Sequence, residues 1–230
     1  MRTSLLAAGA ISLAAANAAI AGAAYVPGAF DGGVPASVPV VSMQEQKFTA
    51  TVRQKYDFSC GSAALATLLT YQYGAPVSED KVLQEMLLRG DEAKIRREGF
   101  SLLDMKKYLD AHGYQADGYQ VPLDKLVQVG VPAIVLISEN GYKHFVVIKG
   151  VAMDRVLIGD PSRGTRAVAR GGFEKLWTNR ILFVIHNRSQ QARFNTTTDW
   201  KSAPLGPVAL GLVRDGLGTV VIPKFGPGGF

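Results

Sequence analysis

The sequence contains one cysteine in 230 residues, Cys60, and three histidines that lie far apart, at positions 112, 144 and 186. A single cysteine excludes an intrachain disulfide and a thiolate metal cluster. No paired acidic cluster accompanies the histidines, so no spacing of metal ligands is present. We therefore expect neither a metal site nor a cofactor.

Charge is scarce and scattered. Charged residues make up 19% of the chain, and 25 Lys and Arg against 19 Asp and Glu give a formal net charge of +6. No run of five or six basic residues occurs, whereas a nucleic-acid-binding protein concentrates positive charge on one face, so we expect no nucleic-acid partner. Hydrophobic residues make up 47%, which is enough for a folded core, and the length fits one domain with appendages.

The N-terminus lacks charge from Thr3 through Phe30. Arg2, an apolar segment and the small residues that follow are typical of a secretory signal peptide, which we predict over residues 1–21. A retained membrane anchor is the alternative, but Gly, Ser and Asn interrupt the stretch, and an Ala-rich helix gains little from lipid. We expect no integral membrane segment once the leader is removed.

The composition divides the rest of the chain into three parts. Residues 22–47 are rich in Gly, Pro and Ala and are predicted to form a flexible arm, in which the Gly32-Gly33 pair suggests a self-cleavage hypothesis. Residues 48–186 are the predicted domain. Residues 187–230 are predicted to be a polar linker followed by an apolar, Gly-rich C-terminal extension.

Hydrophobic periodicity within residues 48–186 predicts an α+β domain. Apolar residues recur at helical spacing after three serines that are suitable N-caps, which predicts helices over 60–73, 78–88 and 101–112. Apolar runs then predict strands over 133–137, 144–149, 155–158 and 181–185, with a hairpin turn at 139–141. Helices followed by antiparallel strands indicate helices packed on a sheet.

Cys60 stands at the predicted start of the first helix, directly after Ser59. Unpaired amides and the helix dipole lower the pKa of a thiol at such a position and favour the thiolate nucleophile. Gly61 leaves room for a substrate near the backbone, and the Cys60 amide is a candidate oxyanion donor. The alternative is that Cys60 is a small buried hydrophobic residue.

A cysteine nucleophile needs a general base, and His144 is the best candidate. A role as helix C-cap explains His112, and His186 ends a strand, whereas His144 begins a strand after a tight turn. A hairpin between the second and third strands brings His144 opposite residues 160–162, and Asp160 would then fix the tautomer of its imidazole. An Asp-Pro turn beside a merely packed histidine fits the same spacing.

The motifs around these residues resemble the bacteriocin-processing cysteine peptidase family. Four segments carry the resemblance, in order: QKYDFSCGSAAL at 54–65, GFSL at 99–102, KHFVV at 143–147 and GDPSRG at 159–164. The resemblance covers about residues 48–186. It implies a papain-like fold in which Gln54 donates to the oxyanion, Cys60 is the nucleophile, His144 is the base and Asp160 orients His144.

Two features depart from the transporter-fused members of that family. The transporter-fused members carry an acidic residue where this chain has Ser59. This chain also has a predicted leader and no transporter sequence. The chain is more similar to the stand-alone periplasmic branch that accompanies functional-amyloid secretion in Gram-negative bacteria. Double-glycine cleavage is therefore not carried over, and the implied partners are a polypeptide substrate, amyloid-system proteins or an outer-membrane secretion component.

The predicted function is that of a periplasmic cysteine endopeptidase that cuts an exported or amyloid-system polypeptide by Cys-His-Asp chemistry. One alternative is a non-catalytic papain-like module that binds peptides during secretion. A second alternative is a cell-wall amidase, which also orders Cys before His. The Gln that lies six residues before the cysteine favours the peptidase.

Overall fold

The computed structural model describes residues 23–26, 36–39 and 42–203, and the chain divides into two units after Ser42. The described part of the first unit is an antiparallel pair of strands, β1 (Ala23–Val26) and β2 (Ala36–Pro39). The arm predicted over 22–47 therefore contains paired strands, and its last residues form a helix of the second unit. The signal peptide, the Gly33 site and residues 204–230 lie outside the described residues.

The second unit begins with helices. These helices are α1 (Met43–Lys47), α2 (Cys60–Thr67) with a π-helical continuation (Leu68–Gln72), α3 (Glu79–Arg89), α4 (Glu92–Glu98) and α5 (Leu102–Ala111). The three predicted helices are confirmed as α2, α3 and α5. Ser78 caps α3 through the amide of Lys81, and a capping box joins Ser101 to Asp104 at the start of α5. The sequence pattern did not predict α4, because only Ile95 of this helix is buried.

A six-stranded antiparallel sheet follows. It is built from β3 (Ala116–Tyr119), β4 (Ala133–Glu139), β5 (Tyr142–Val151), β6 (Arg155–Asp160), β7 (Gly164–Ala169) and β8 (Leu182–Ile185), in the spatial order β3-β8-β4-β5-β6-β7. Two short helices, α6 (Asp124–Val129) and α7 (Arg170–Leu176), connect strands. The α+β prediction is confirmed, and β3 and β7 are additional to the predicted strands.

Helix α2 is wedged between the sheet and the other helices, and all its residues are buried. It contacts α3 and α5 on one side and β5 on the other. Its small residues permit this close approach: a Cβ on Gly61 would lie 2.8 Å from the Cβ of Phe100. The packing fixes the N-terminal end of α2, which carries Cys60, against the strand that carries His144.

The segment after β8 packs on the domain as far as Ala203, so the described part of the predicted polar linker is ordered structure. Asn195 accepts a hydrogen bond from the amide of Val151 and donates one to its carbonyl. Helix α8 (Thr197–Ser202) brings Asp199 to the buried ammonium group of Lys149, which also donates to the carbonyl of Ala50 at 2.7 Å. Burial lowers the pKa of Lys149, and the charge of Asp199 opposes that shift.

We expect Lys149→Met to destabilise the protein by about 3 kcal/mol, because it leaves the carboxylate of Asp199 buried without its cation. Urea unfolding followed by circular dichroism measures the change in free energy. Lys125→Met is the matched control, since this lysine is exposed and its ammonium group bonds an exposed glutamine. Equal stabilities of the two variants would contradict the structural role of the buried pair.

Candidate active site

The candidate nucleophile Cys60 is the first residue of α2 and lies at the floor of a groove. The groove has a volume of about 610 Å³, and its walls include Tyr56, Phe58, Gly99 and Tyr142. Cys60 is 7% exposed, so the residue is largely covered but borders this open space. A more apolar cavity of about 310 Å³ beside β3 and β8 contains none of the predicted site residues. The groove is therefore the candidate substrate-binding site.

Ser59 precedes α2 as predicted, but its side chain does not cap the helix. Its hydroxyl bonds the buried carboxylate of Glu79 at 2.5 Å and accepts from the amide of Tyr56 at 3.1 Å. The same carboxylate oxygen accepts from the amide of Lys55. Ser59 and Glu79 thus tie the loop before Cys60 to α3, and this loop forms one wall of the groove.

Burial raises the pKa of the Cys60 thiol, opposite to the direction expected from its helix position. Backbone amides of Phe145, Gly61 and Cys60 itself lower the pKa, but their effect is smaller than that of desolvation. The charge of Asp160 also raises it. The expectation of a lowered thiol pKa is therefore wrong, because desolvation outweighs the favourable position at the helix start.

His144 and Asp160 lie next to each other on adjacent strands, β5 and β6. The imidazole Nε2 of His144 is 3.2 Å from Oδ2 of Asp160, and both side chains are buried. The pairing of Val147 with Gly159 sets this register, as the predicted hairpin requires. The other ring nitrogen, Nδ1, is buried and has no hydrogen-bond partner among the described residues. His144 therefore retains one nitrogen that can exchange a proton.

Asp160 is fully buried, and each of its oxygens is hydrogen-bonded. Its Oδ1 accepts from the hydroxyl of Ser162 at 2.7 Å and from the amide of Ser162 at 3.0 Å. Its Oδ2 accepts from His144 and, at 3.0 Å, from Nη2 of Arg166. Burial alone would raise the pKa of Asp160, but these hydrogen bonds and the charges of His144 and Arg166 hold it well below its usual range. Asp160 is thus a permanent carboxylate beside the imidazole.

Gln54 lies near the same centre, on the loop that leads to Cys60. Its backbone amide donates to the carbonyl of Pro161 at 3.0 Å, which fastens the loop to the turn after Asp160. Its side-chain Nε2 donates to the carbonyl of Tyr56 at 3.1 Å, which uses one of its two hydrogens. The second hydrogen remains for another acceptor, as an oxyanion donor requires.

The structure thus brings Gln54, Cys60, His144 and Asp160 into one neighbourhood, and it leaves the other two histidines elsewhere. His112 ends α5 and pairs with Glu85, and His186 pairs with Asp117. In residues 23–26, 36–39 and 42–203, no group of three His, Cys, Asp or Glu residues could hold a metal ion.

Sequence reasoning missed two residues of the site. Arg166 contacts Asp160 from β7, a strand that was not predicted. Tyr142 packs its ring on His144, with ring centroids 5.6 Å apart. Its position two residues before His144 was a usable signal, because alternate residues of a strand share a face.

A cysteine at a helix start and a strand-borne His-Asp pair, on helices packed against an antiparallel sheet, are the arrangement of papain-like cysteine peptidase domains. The model of the peptidase C39 family matches residues 49–189. This is more than half of the chain, so the chain belongs to the peptidase C39 family. The resemblance to the bacteriocin-processing cysteine peptidases that the motifs carried is confirmed.

The chain is also similar to proteins of known name. The chain is 46% identical over 146 residues to the probable functional amyloid protease FapD of Pseudomonas aeruginosa, covering 64% of each protein. It is 43% identical over 157 residues to FapD of Pseudomonas fluorescens, covering 68% of this chain and 69% of that protein. The peptidase domain of Streptococcus ComA, a bifunctional ABC transporter, is 20% identical with a TM-score of 0.49, covering 59% of this chain and 97% of that domain.

We expect His144→Ala to slow alkylation of Cys60 by iodoacetamide at pH 7 by about tenfold or more. Without the imidazole the thiol must ionise alone, and a raised pKa leaves less thiolate at neutral pH. The reaction of the variant should accelerate only above the ordinary range of thiol ionisation. Mass spectrometry measures the rate at a single site, because Cys60 is the only cysteine.

His112→Ala is the matched control, since it also removes a histidine paired with a carboxylate, at a place outside the groove. Its alkylation rate should equal that of the unmodified protein. Equal pH profiles of His144→Ala and the unmodified protein would contradict the pairing of His144 with Cys60.

Proposed function

We propose that this protein is a periplasmic cysteine endopeptidase that cuts an exported polypeptide of a functional-amyloid system. The observation that carries the proposal is the state of His144: Nε2 lies within hydrogen-bond distance of a carboxylate whose pKa is held well below its usual range, and Nδ1 is buried with no partner among the described residues. A buried nitrogen without a hydrogen bond is costly, which is reasonable where it serves proton transfer.

The chemistry follows from the protonation states. Substrate entering the groove removes water, and the thiol of Cys60 transfers its proton to Nδ1 of His144. The thiolate adds to the peptide carbonyl, and the resulting imidazolium is stabilised by Asp160. The amides of Cys60 and Gln54 are the donors for the oxyanion. When the tetrahedral adduct collapses, the proton on His144 passes to the leaving amine and a thioester remains on Cys60.

Hydrolysis of the thioester reverses these roles. His144 takes a proton from a water molecule, the hydroxide adds to the thioester carbonyl, and the cysteine leaves as a thiol when the carboxylic acid is released.

The substrate and the location rest on the relatives and on the N-terminal sequence. Both Pseudomonas relatives are named as probable functional amyloid proteases, and the aligned region spans 64% and 69% of their lengths. The uncharged, Ala-rich N-terminus supports export. No helix among the described residues is long and apolar enough to cross a membrane. An exported polypeptide encountered in the periplasm is the substrate consistent with both.

We expect Cys60→Ala to abolish a set of new N-termini in the secreted and periplasmic proteins of the producing cells. N-terminal peptide mapping by mass spectrometry should find these termini in cells with the unmodified protein and in cells with His112→Ala, and it should not find them with Cys60→Ala or His144→Ala. Amyloid-system proteins should be among the cleaved chains.

Identical sets of N-termini in all four strains would overturn the peptidase assignment. Peptides retained by purified Cys60→Ala and by the unmodified protein alike, with no cleavage by either, would indicate a binding module instead. Release of peptidoglycan fragments that depends on Cys60 would indicate a cell-wall amidase.

A further inference from the structure

Tyr142 connects the two parts of the chain that form the site. It is the first residue of β5 and packs its ring on His144, with the ring planes inclined by 27°. Its hydroxyl donates a hydrogen bond of 2.8 Å to the carbonyl of Asp57, which lies on the loop between Gln54 and Cys60. One side chain thus contacts the imidazole and braces the loop of the nucleophile.

The hydroxyl of Tyr142 thereby fixes the loop that carries the Gln54 amide. The side-chain Nε2 of Gln54 donates to the carbonyl of Tyr56, the residue before Asp57, and Oε1 of Gln54 is buried with no hydrogen-bond partner in the described part of the chain. The position of this amide therefore depends on the backbone of the loop, which Tyr142 braces at Asp57.

The end of the hairpin that carries Tyr142 is itself held in place. Asn140 and Gly141 form its turn with positive φ values of 52° and 81°, and Glu139 pairs with Tyr142 across the strands. The carboxylate of Glu139 binds Arg163 at 2.7 Å and Arg166 at 3.0 Å. Tyr142 is 49% exposed, and its free surface borders the groove, so it is fixed at its base and open on the substrate side.

We propose that Tyr142 is a positioning residue of the active site: its hydroxyl braces the loop that carries Gln54 and Cys60, and its ring fixes the plane of the His144 imidazole. The proposal rests on the proposed peptidase function. The oxyanion donors on this loop are thereby placed before substrate arrives, which avoids reorganisation at the moment of reaction.

Two reactions of the Cys60 sulfur differ in whether they form an oxyanion. Carbobenzoxyglycine p-nitrophenyl ester acylates Cys60: the sulfur adds to the ester carbonyl, an oxyanion forms, and p-nitrophenolate leaves with a thioester retained. Iodoacetamide alkylates Cys60 by displacement of iodide, with no oxyanion. A change confined to oxyanion binding slows the first reaction and spares the second.

We expect Tyr142→Phe, which keeps the ring, to slow acylation about tenfold through kcat with KM unchanged, and to leave alkylation within about twofold. Tyr142→Leu should slow both reactions and change the pH profile of alkylation, because the ring contact with His144 is lost. Tyr119→Phe is the matched control, a 43% exposed tyrosine on β3 that does not border the groove, and should change neither rate.

The dependence on Gln54 gives an independent check. In a Gln54→Ala background, Tyr142→Phe should cause a smaller further loss of acylation, because one of the two oxyanion donors on the braced loop is already absent. Unfolding temperatures identify any general loss of structure, and the conservative Phe variant decides the outcome if the Leu variant is unfolded.

Three results would overturn the proposal. They are an acylation rate for Tyr142→Phe equal to that of the unmodified protein, an equal loss of acylation and alkylation in that variant, and a loss expressed only as a higher KM, which would make Tyr142 a substrate contact. If instead the unmodified protein reacts with the ester no faster than Cys60→Ala does, the peptidase assignment itself fails, before any variant of Tyr142 is compared.

Discussion

The buried carboxylate of Asp160 is the constraint on which the geometry of the site depends. A charge without solvent is stable only if its oxygens are hydrogen-bonded, and here the donors come from three places: His144 on β5, Ser162 in the following turn and Arg166 on β7. Satisfying one carboxylate therefore aligns three neighbouring strands at one end of the sheet. Arg166 also binds Glu139, so the turn before His144 is tied to the same point.

The parts of the fold that follow local rules could be read from the sequence. Ser101 and Asp104 form a capping box at the predicted helix start, and the hairpin register brings His144 to Asp160 as counting residues across the turn suggested. Helix α4 has no such signal, because Ile95 is its only buried residue and one apolar position makes no period. Strands β3 and β7 are short and rich in Gly, Ala and polar residues, which resemble loop sequence.

Interactions between distant residues could not be read in this way. Nothing local indicates that Lys149, in an apolar strand, pairs with Asp199 from a polar segment fifty residues later. The same limit explains why the sequence predicted the wrong direction for the shift in the pKa of Cys60. Helix position is a local property that favours the thiolate, whereas the opposing desolvation arises from Phe100, Phe145 and other residues that only the fold assembles around α2.

The sheltered, protonated sulfur of Cys60 has a consequence for how long the protein survives. Peroxide and disulfide reagents react with thiolates far faster than with thiols, so burial, which raises the pKa of the Cys60 thiol, also slows its oxidation. With no second cysteine in the chain, a sulfenic acid at this position could not be rescued by an internal disulfide. The same burial that disfavours the thiolate thus protects a sulfur whose oxidation no second thiol of the chain could reverse.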